Sequence, residues 1–262
     1  MRMKIALIQL DIAFGNPEAN YAAAERKIRE AAADRPDCLI LPELWTTGYD
    51  LTRLGEIADP EGRTTKAFIS ALAKQYSINI VAGSVANRHP GGGVTNSMFI
   101  FNRQGELVGE YSKLHLFRLM DEHLYLQPGE AKGLFMLDGA SCAGLICYDI
   151  RFPEWIRAHT VQGAEVLFIS AEWPLPRLSH WRTLLISRAI ENQCYVVACN
   201  RAGSDPANTF AGHSMIIDPW GEIVCEASEG EEIVSGVIDW QKVREVRAQI
   251  PVFSDRRPDL YV

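Results

Sequence analysis

The sequence predicts a layered α/β protein whose sheets are not purely parallel, and three observations carry that prediction. Between residues 4 and 41 an apolar run, a helix-length amphipathic segment and a second apolar run follow one another. Between residues 78 and 112 three extended runs are joined by turn-forming clusters, as in antiparallel hairpins. Finally, the apolar run Gly144-Leu145-Ile146 stops at Cys147 and turns directly into the helix-compatible stretch Tyr148-Asp149-Ile150-Arg151-Phe152-Pro153-Glu154. Helix–strand alternation mixed with hairpins is the pattern of helices layered on mixed sheets.

The elements follow in chain order. Lys4 to Gln9 reads as a first strand, and Pro17 to Ala33 as an amphipathic helix with Asn16 as its N-cap and Pro17 at its first position. Cys38 to Leu41 is a second strand, ending in Pro42-Glu43-Leu44. A helix from about Thr64 to Tyr76 leads into a strand from Ile78 to Val85, and His89-Pro90-Gly91-Gly92-Gly93 turns it into a strand from Val94 to Phe101. No Lys-Ser or Lys-Thr pair and no helix follow those glycines, so they are not a phosphate loop. Asn102-Arg103-Gln104-Gly105 is a hairpin turn into Leu107 to Ser112, after which Lys113 opens a long loop carrying Asp121, Glu122 and His123. Beyond Cys147 come a helix from Phe152 to Gln162, a strand from Val166 to Ser170, a helix from Ser179 to Asn192 and a strand from Tyr195 to Asn200. Gly212 to Glu222 reads as strand, tight turn, strand, and the tail from Ile250 to Tyr261 as extended and proline-punctuated.

Composition excludes several function classes. The 262 residues can form one large domain, and the absence of a linker, repeat or low-complexity tract predicts a single domain over 1–262. A hydrophobic content of 47% with 23% charged residues is that of a soluble globular protein, and the net charge of −7 gives no footing for nucleic acid. The apolar run before Asp11 is too short for a secretory signal or a bilayer span, so a cytoplasmic protein with no membrane partner is expected. The six cysteines contain no C-x-x-C pair and sit mostly in apolar runs, as reduced thiols do. No histidines stand at metal-ligand spacing, and no metal is expected.

Three strand ends carry a reactive side chain: Glu43, Lys113 and Cys147. Taken singly each has a plain reading, as a solvated acid, a solvated ammonium and a small buried thiol. Together they make chemistry. A carboxylate partly desolvated at a sheet edge can act as base and then acid near neutrality. The ammonium neutralises charge growing on a carbonyl oxygen, and the thiol attacks beside free backbone N–H groups.

Pro42-Glu43-Leu44, Tyr111-Ser112-Lys113-Leu114-His115-Leu116 and Cys147-Tyr148-Asp149-Ile150-Arg151-Phe152-Pro153-Glu154 resemble, in order and spacing, the three signature segments of the carbon–nitrogen hydrolase (nitrilase) superfamily. The resemblance covers nearly the whole chain. It implies a triad of Glu43, Lys113 and Cys147, with Glu122 as the superfamily's second glutamate, and no cofactor. It also implies a four-layer αββα sandwich, extended on dimerisation to eight layers, αββααββα. The tail 251–262 is then expected to dock at a subunit interface of a homodimer or larger homo-oligomer.

Cys147 to Phe152, Gly212-His213-Ser214, Pro219-Trp220-Gly221-Glu222 and the tail look most like the omega-amidase branch, which releases ammonia from 2-oxoglutaramate and 2-oxosuccinamate. Some bacterial relatives serve methionine salvage. Arg151, four residues past the nucleophile at the expected helix start, can clamp a substrate carboxylate at two points; a structural salt bridge is the alternative. Tyr148, Trp173 and Phe117 are candidate pocket walls. Two segments depart from the branch pattern, the short loop Arg118 to His123 and the pocket entry Ala171-Glu172-Trp173-Pro174, and both bear on acyl specificity. Other amidase types remain open, acting on aliphatic amides, N-carbamoyl amino acids or nitriles, as does an idle binding protein that keeps the fold.

Overall fold

The computed structural model describes residues 2–261. Two sheets stack face to face, each covered on its outer side by helices. The first runs in the order Glu232–Asp239, Arg2–Gln9, Cys38–Ile40, Asn79–Arg88, Val94–Phe101, Leu107–Ser112, with the short Asp59–Pro60 strand pairing off Asn79–Arg88. The second runs Ile223–Glu226, Met215–Ile217, Tyr195–Asn200, Val166–Ala171, Ala140–Ile146, Leu134–Leu137. Both mix parallel and antiparallel neighbours, with parallel pairs at each centre, such as Arg2–Gln9 with Cys38–Ile40 and Ala140–Ile146 with Val166–Ala171.

Period-two alternation assigns the layers. In the first strand Ile5 and Leu7 point inward, where they pack with Ile40, Val81, Met98, Leu145 and Phe168 between the sheets. Ala6 and Ile8 point outward, onto Ala24 and Ile28 of helix Pro17–Ala32 and Ile69 and Leu72 of helix Arg63–Tyr76. On the far side Ile156 of helix Pro153–Thr160 and Trp181, Leu185 and Ala189 of helix Leu178–Asn192 cover the second sheet. The result is the αββα sandwich. Asn16 does cap the first helix, its side chain accepting from the Ala19 N–H at 3.1 Å, with Pro17 next in line.

Several boundaries differ from the sequence reading. The strand through Ile146 does not pass straight into an α-helix: Cys147–Arg151 form a 3₁₀ turn, and the helix starts at Pro153. Arg151 therefore ends a turn and does not start a helix. The loop after Lys113 holds a 3₁₀ turn at Arg118–Met120 and a short helix at Glu122–Tyr125. The tail is not extended; tight turns link it, with Ser254 and Asp255 N–H both donating to the Pro251 carbonyl. Its Phe253 ring faces the guanidiniums of Arg157 and Arg247 at 5.2 and 4.7 Å, and Val262 lies outside the described residues. Leu134–Leu137, Glu232–Asp239 and helix Trp240–Gln249 had no counterpart in the sequence reading. Among the described residues no helix is long and apolar enough to cross a membrane.

Candidate active site

Glu43, Lys113 and Cys147 each sit just past a strand, on loops that meet at one edge of the two sheets. Glu43 is placed by a close backbone approach. Gly83 has φ +61°, and a Cβ there would stand 2.1 Å from the Pro42 carbonyl oxygen. The Ser84 N–H donates to that same carbonyl and its hydroxyl accepts from Leu44 N–H, so Glu43 is pinned on both sides. Its carboxylate is fully buried. Oε1 accepts from Lys113 Nζ at 2.8 Å and Asn96 Nδ2 at 2.8 Å and lies 3.2 Å from the Tyr49 hydroxyl, while Oε2 accepts from Glu172 N–H at 2.9 Å.

Lys113 reaches a second carboxylate, Glu122 Oε1, at 2.6 Å. Burial alone would lower the lysine, but the charges of Glu122 and Glu43 outweigh it and hold the ammonium well above its ordinary range. Glu122 is pushed up by burial, an effect the neighbouring ammonium only partly offsets. Its Oε2 accepts from Phe117 N–H at 2.6 Å, so the short helix after Asp121 is tied back to the loop that carries the pocket wall.

Cys147 has φ +44°, a left-handed conformation that costs a non-glycine residue about 1–2 kcal/mol. The corner is held by Asp149, whose Oδ2 accepts from Ile146 N–H at 3.0 Å and from the Tyr111 hydroxyl at 2.6 Å. Oδ1 of the same residue accepts from His115 N–H at 3.2 Å and meets His115 Nδ1 at 2.8 Å, so one carboxylate ties the cysteine turn to the segment after Lys113. The buried thiol lies far above its usual range, raised first by desolvation and then by the charge of Glu43, with Lys113 opposing. At rest it is a thiol, and an attack requires a base.

Cys147 lines a small pocket together with Tyr148, Phe117, Trp173, Glu172, Arg151 and Arg177. All four residues expected at the substrate end from sequence, Arg151, Tyr148, Trp173 and Phe117, stand in this wall. The Arg151 guanidinium stacks on Trp173 at 4.6 Å and that of Arg177 on Phe117 at 5.5 Å. Among the described residues neither arginine is paired with a carboxylate, and the side-chain contact of Arg151 is His180, at 3.3 Å. Among the described residues the salt-bridge alternative for Arg151 has no partner.

A model of the carbon–nitrogen hydrolase family matches residues 4–248. The chain belongs to the carbon–nitrogen hydrolases. It is 56% identical over 261 residues, the full length of both chains, to a 2-oxoglutaramate amidase of Bacillus subtilis. To an omega-amidase of Homo sapiens it is 35% identical over 269 residues, covering 98% of this chain and 96% of the other. Among solved structures, a superfamily member from Xanthomonas campestris with an arsenic adduct in its active site matches with a TM-score of 0.91 at 31% identity, covering 98% of each chain. Saccharomyces cerevisiae Nit3 matches with the same TM-score of 0.91 at 29% identity, over 98% of this chain and 97% of that one.

Several polar residues of this carbon–nitrogen hydrolase site escaped the sequence reading: Tyr49, Asn96, Asp149, Arg177 and the Glu172–Arg201 pair. Asn96 left a trace. It lies in Thr95-Asn96-Ser97, a polar triplet inside a strand buried along its whole length. Glu172, in the segment Ala171-Glu172-Trp173-Pro174 expected at the pocket entry, does line the pocket, and its side chain is fully buried, with Oε2 on Arg201 Nη1 at 2.6 Å. Burial pushes its carboxyl up to about 8 despite the arginine.

Proposed function

We propose that this chain is an omega-amidase, hydrolysing the terminal amide of 2-oxoglutaramate and its shorter homologue through a cysteinyl thioester. One observation carries the reading: two guanidiniums, Arg151 and Arg177, with no carboxylate partner among the described residues, line the same small pocket as Cys147. Burial disfavours the Arg151 charge, a cost that an incoming carboxylate offsets by two-point hydrogen bonding. The Bacillus subtilis relative named as a 2-oxoglutaramate amidase supports the same substrate.

In this reading Cys147 Sγ attacks the amide carbon while Glu43 accepts the thiol proton. The oxyanion is held by the Tyr148 backbone N–H and by Lys113, whose ammonium has three N–H donors and commits two of them to Glu43 and Glu122. The C–N bond breaks as Glu43 returns the proton to the departing ammonia. A water then gives a proton to Glu43 and adds to the thioester as hydroxide, and the C–S bond breaks as Glu43 returns that proton to the sulfur, releasing the acid and restoring the thiol. Asn96 and the Glu172 N–H hold the Glu43 carboxylate in one orientation through both half-reactions.

Ammonia release from purified protein tests the proposal, with 2-oxoglutaramate, uncharged short amides, N-carbamoyl amino acids and nitriles as substrates and Cys147→Ala as control. The carboxylate-bearing 2-oxo amide should give the highest kcat/KM. Preference for an uncharged amide or a carbamoyl compound overturns the assignment within the family, and no turnover of any of them favours an idle protein.

A further inference from the structure

Glu172 is the one acidic side chain of the pocket wall that the mechanism above leaves unused. Its backbone N–H serves Glu43, but its carboxyl group points elsewhere: Oε2 is bound by Arg201, and Oε1 is buried with no hydrogen-bond partner. Arg201 is itself fixed, giving N–H bonds to the Ile12, Ala202 and Ser204 carbonyls and stacking on Phe210 at 4.1 Å. It therefore cannot swing to satisfy Oε1. A buried polar atom left without a partner in a residue of the pocket wall is costly, and a ligand group that reaches and completes it gains affinity.

Resting on the omega-amidase reading, we propose that Glu172 recognises the 2-oxo group of the substrate, donating a hydrogen bond from Oε1 to the keto oxygen. The substrate has three polar groups. The amide is met by Cys147, Glu43, Lys113 and Tyr148, and the carboxylate by the two arginines, which leaves the keto oxygen between them without a partner. Glu172 stands between the same two ends of the pocket: its N–H holds Glu43, and its chain neighbour Trp173 carries the Arg151 guanidinium. The donor role follows from Arg201. Because Arg201 N–H needs an acceptor, Oε2 must stay unprotonated, and any proton on this carboxyl sits on Oε1. Burial keeps that proton on at neutrality, the group titrating at about 8. The charged and titratable groups around it are Arg201, Glu43, Asp205 and Tyr49, with Arg151, Arg177 and Cys147 in the shared wall.

The test compares kcat/KM for 2-oxoglutaramate with that for glutaramate, which has CH₂ in place of the keto group. Wild-type protein should prefer the keto substrate, and Glu172→Leu should cut the preference about tenfold, the worth of one hydrogen bond. Glu172→Gln should keep most of it, since Arg201 draws the amide oxygen to itself and turns the N–H toward the pocket. The preference is a ratio, so it does not depend on how much of a destabilised variant folds. A second arm needs no substitution: in wild type the preference falls as pH rises through about 8, and in Glu172→Gln it stays flat. Equal loss in the Leu and Gln variants, or a wild type indifferent to the keto group, overturns the inference while leaving an omega-amidase. Failure to hydrolyse either amide, with turnover of other amides, removes the omega-amidase reading itself.

Discussion

The Tyr49 hydroxyl lies 2.6 Å from Oε1 of Glu122, closer than its 3.2 Å contact with Glu43. A phenol has one proton to give, so the shorter contact receives it. Burial and the flanking carboxylates push the phenol well above its ordinary range, and it remains a neutral donor across the working pH. Tyr49→Phe removes that bond from a carboxyl already raised by burial. The expected result is a further rise in the Glu122 pKa and a drop of about tenfold in kcat. The acid limb of the kcat/KM profile should shift to higher pH, and an unmoved limb would show that Tyr49 only packs.

Cys147 should behave as a protonated thiol that its site must activate. Its alkylation by iodoacetamide is expected to accelerate continuously from neutral to alkaline pH with no plateau near neutrality, because desolvation and Glu43 both oppose the thiolate. Cys147→Ala should eliminate ammonia release, a loss of at least about 10³-fold, with a melting temperature close to wild type. A thiolate already formed at pH 6, seen as a pH-independent alkylation rate, would contradict this picture.

How much of this was legible in the sequence depends on the kind of contact. Glu43, Lys113 and Cys147 were visible because each directly follows a strand whose end the sequence marks. Their supports were not. The Glu172 N–H that holds Glu43 comes from a residue 129 positions away, and no local pattern encodes such a meeting. Glu232–Asp239 was missed because it is an edge strand with one neighbour and mostly half-exposed residues, which blurs its alternation. Trp240–Gln249 buries only Trp240, Val243 and Val246 on an otherwise charged surface, a stripe too narrow to stand out. The corner at Cys147 was read as strand into helix because the 3₁₀ turn is set by Asp149 bonding back to Ile146, a side-chain effect without periodicity.

Gly83 should be intolerant of any side chain. Alanine there meets both a left-handed φ of +61° and the Pro42 carbonyl at 2.1 Å, and backbone cannot step aside as a side-chain tip can. Gly83→Ala is expected to cost about 2 kcal/mol or more in stability. Pushing Pro42 away also displaces Glu43, so kcat per folded molecule should fall as well, measured against active sites titrated by alkylation. Full activity per active site would mean that the loop absorbs the shift.

The paired arginines make a prediction that separates binding from chemistry. Arg177→Met should raise KM for 2-oxoglutaramate about tenfold or more, by removing one charged contact to its carboxylate, with a smaller change in kcat. The same variant should gain relative activity on an uncharged short amide, since an apolar ligand that covers a guanidinium without pairing it removes its water and gives nothing back. Arg151→Met should act in the same direction. If both variants lower kcat and leave KM alone, the guanidiniums shape the loop and do not hold the substrate.

Glu172 ties stability to pH with a definite sign. Its carboxyl titrates at about 8 in the folded chain against an ordinary value of 4.5, raised by burial with Arg201 opposing, so the folded state holds a proton that the unfolded chain has lost. The stabilisation from this linkage is fully present below the unfolded value and is lost as pH rises through the folded one. Other groups titrate over the same range, so the quantity to measure is the difference in unfolding free energy between wild type and Glu172→Gln, from urea denaturation at several pH values between about 5 and 8.5. That difference should move steadily against wild type as the pH climbs, because the glutamine cannot ionise. A difference independent of pH would mean that Arg201 keeps Glu172 charged throughout, and Oε1 would then be an acceptor and no donor.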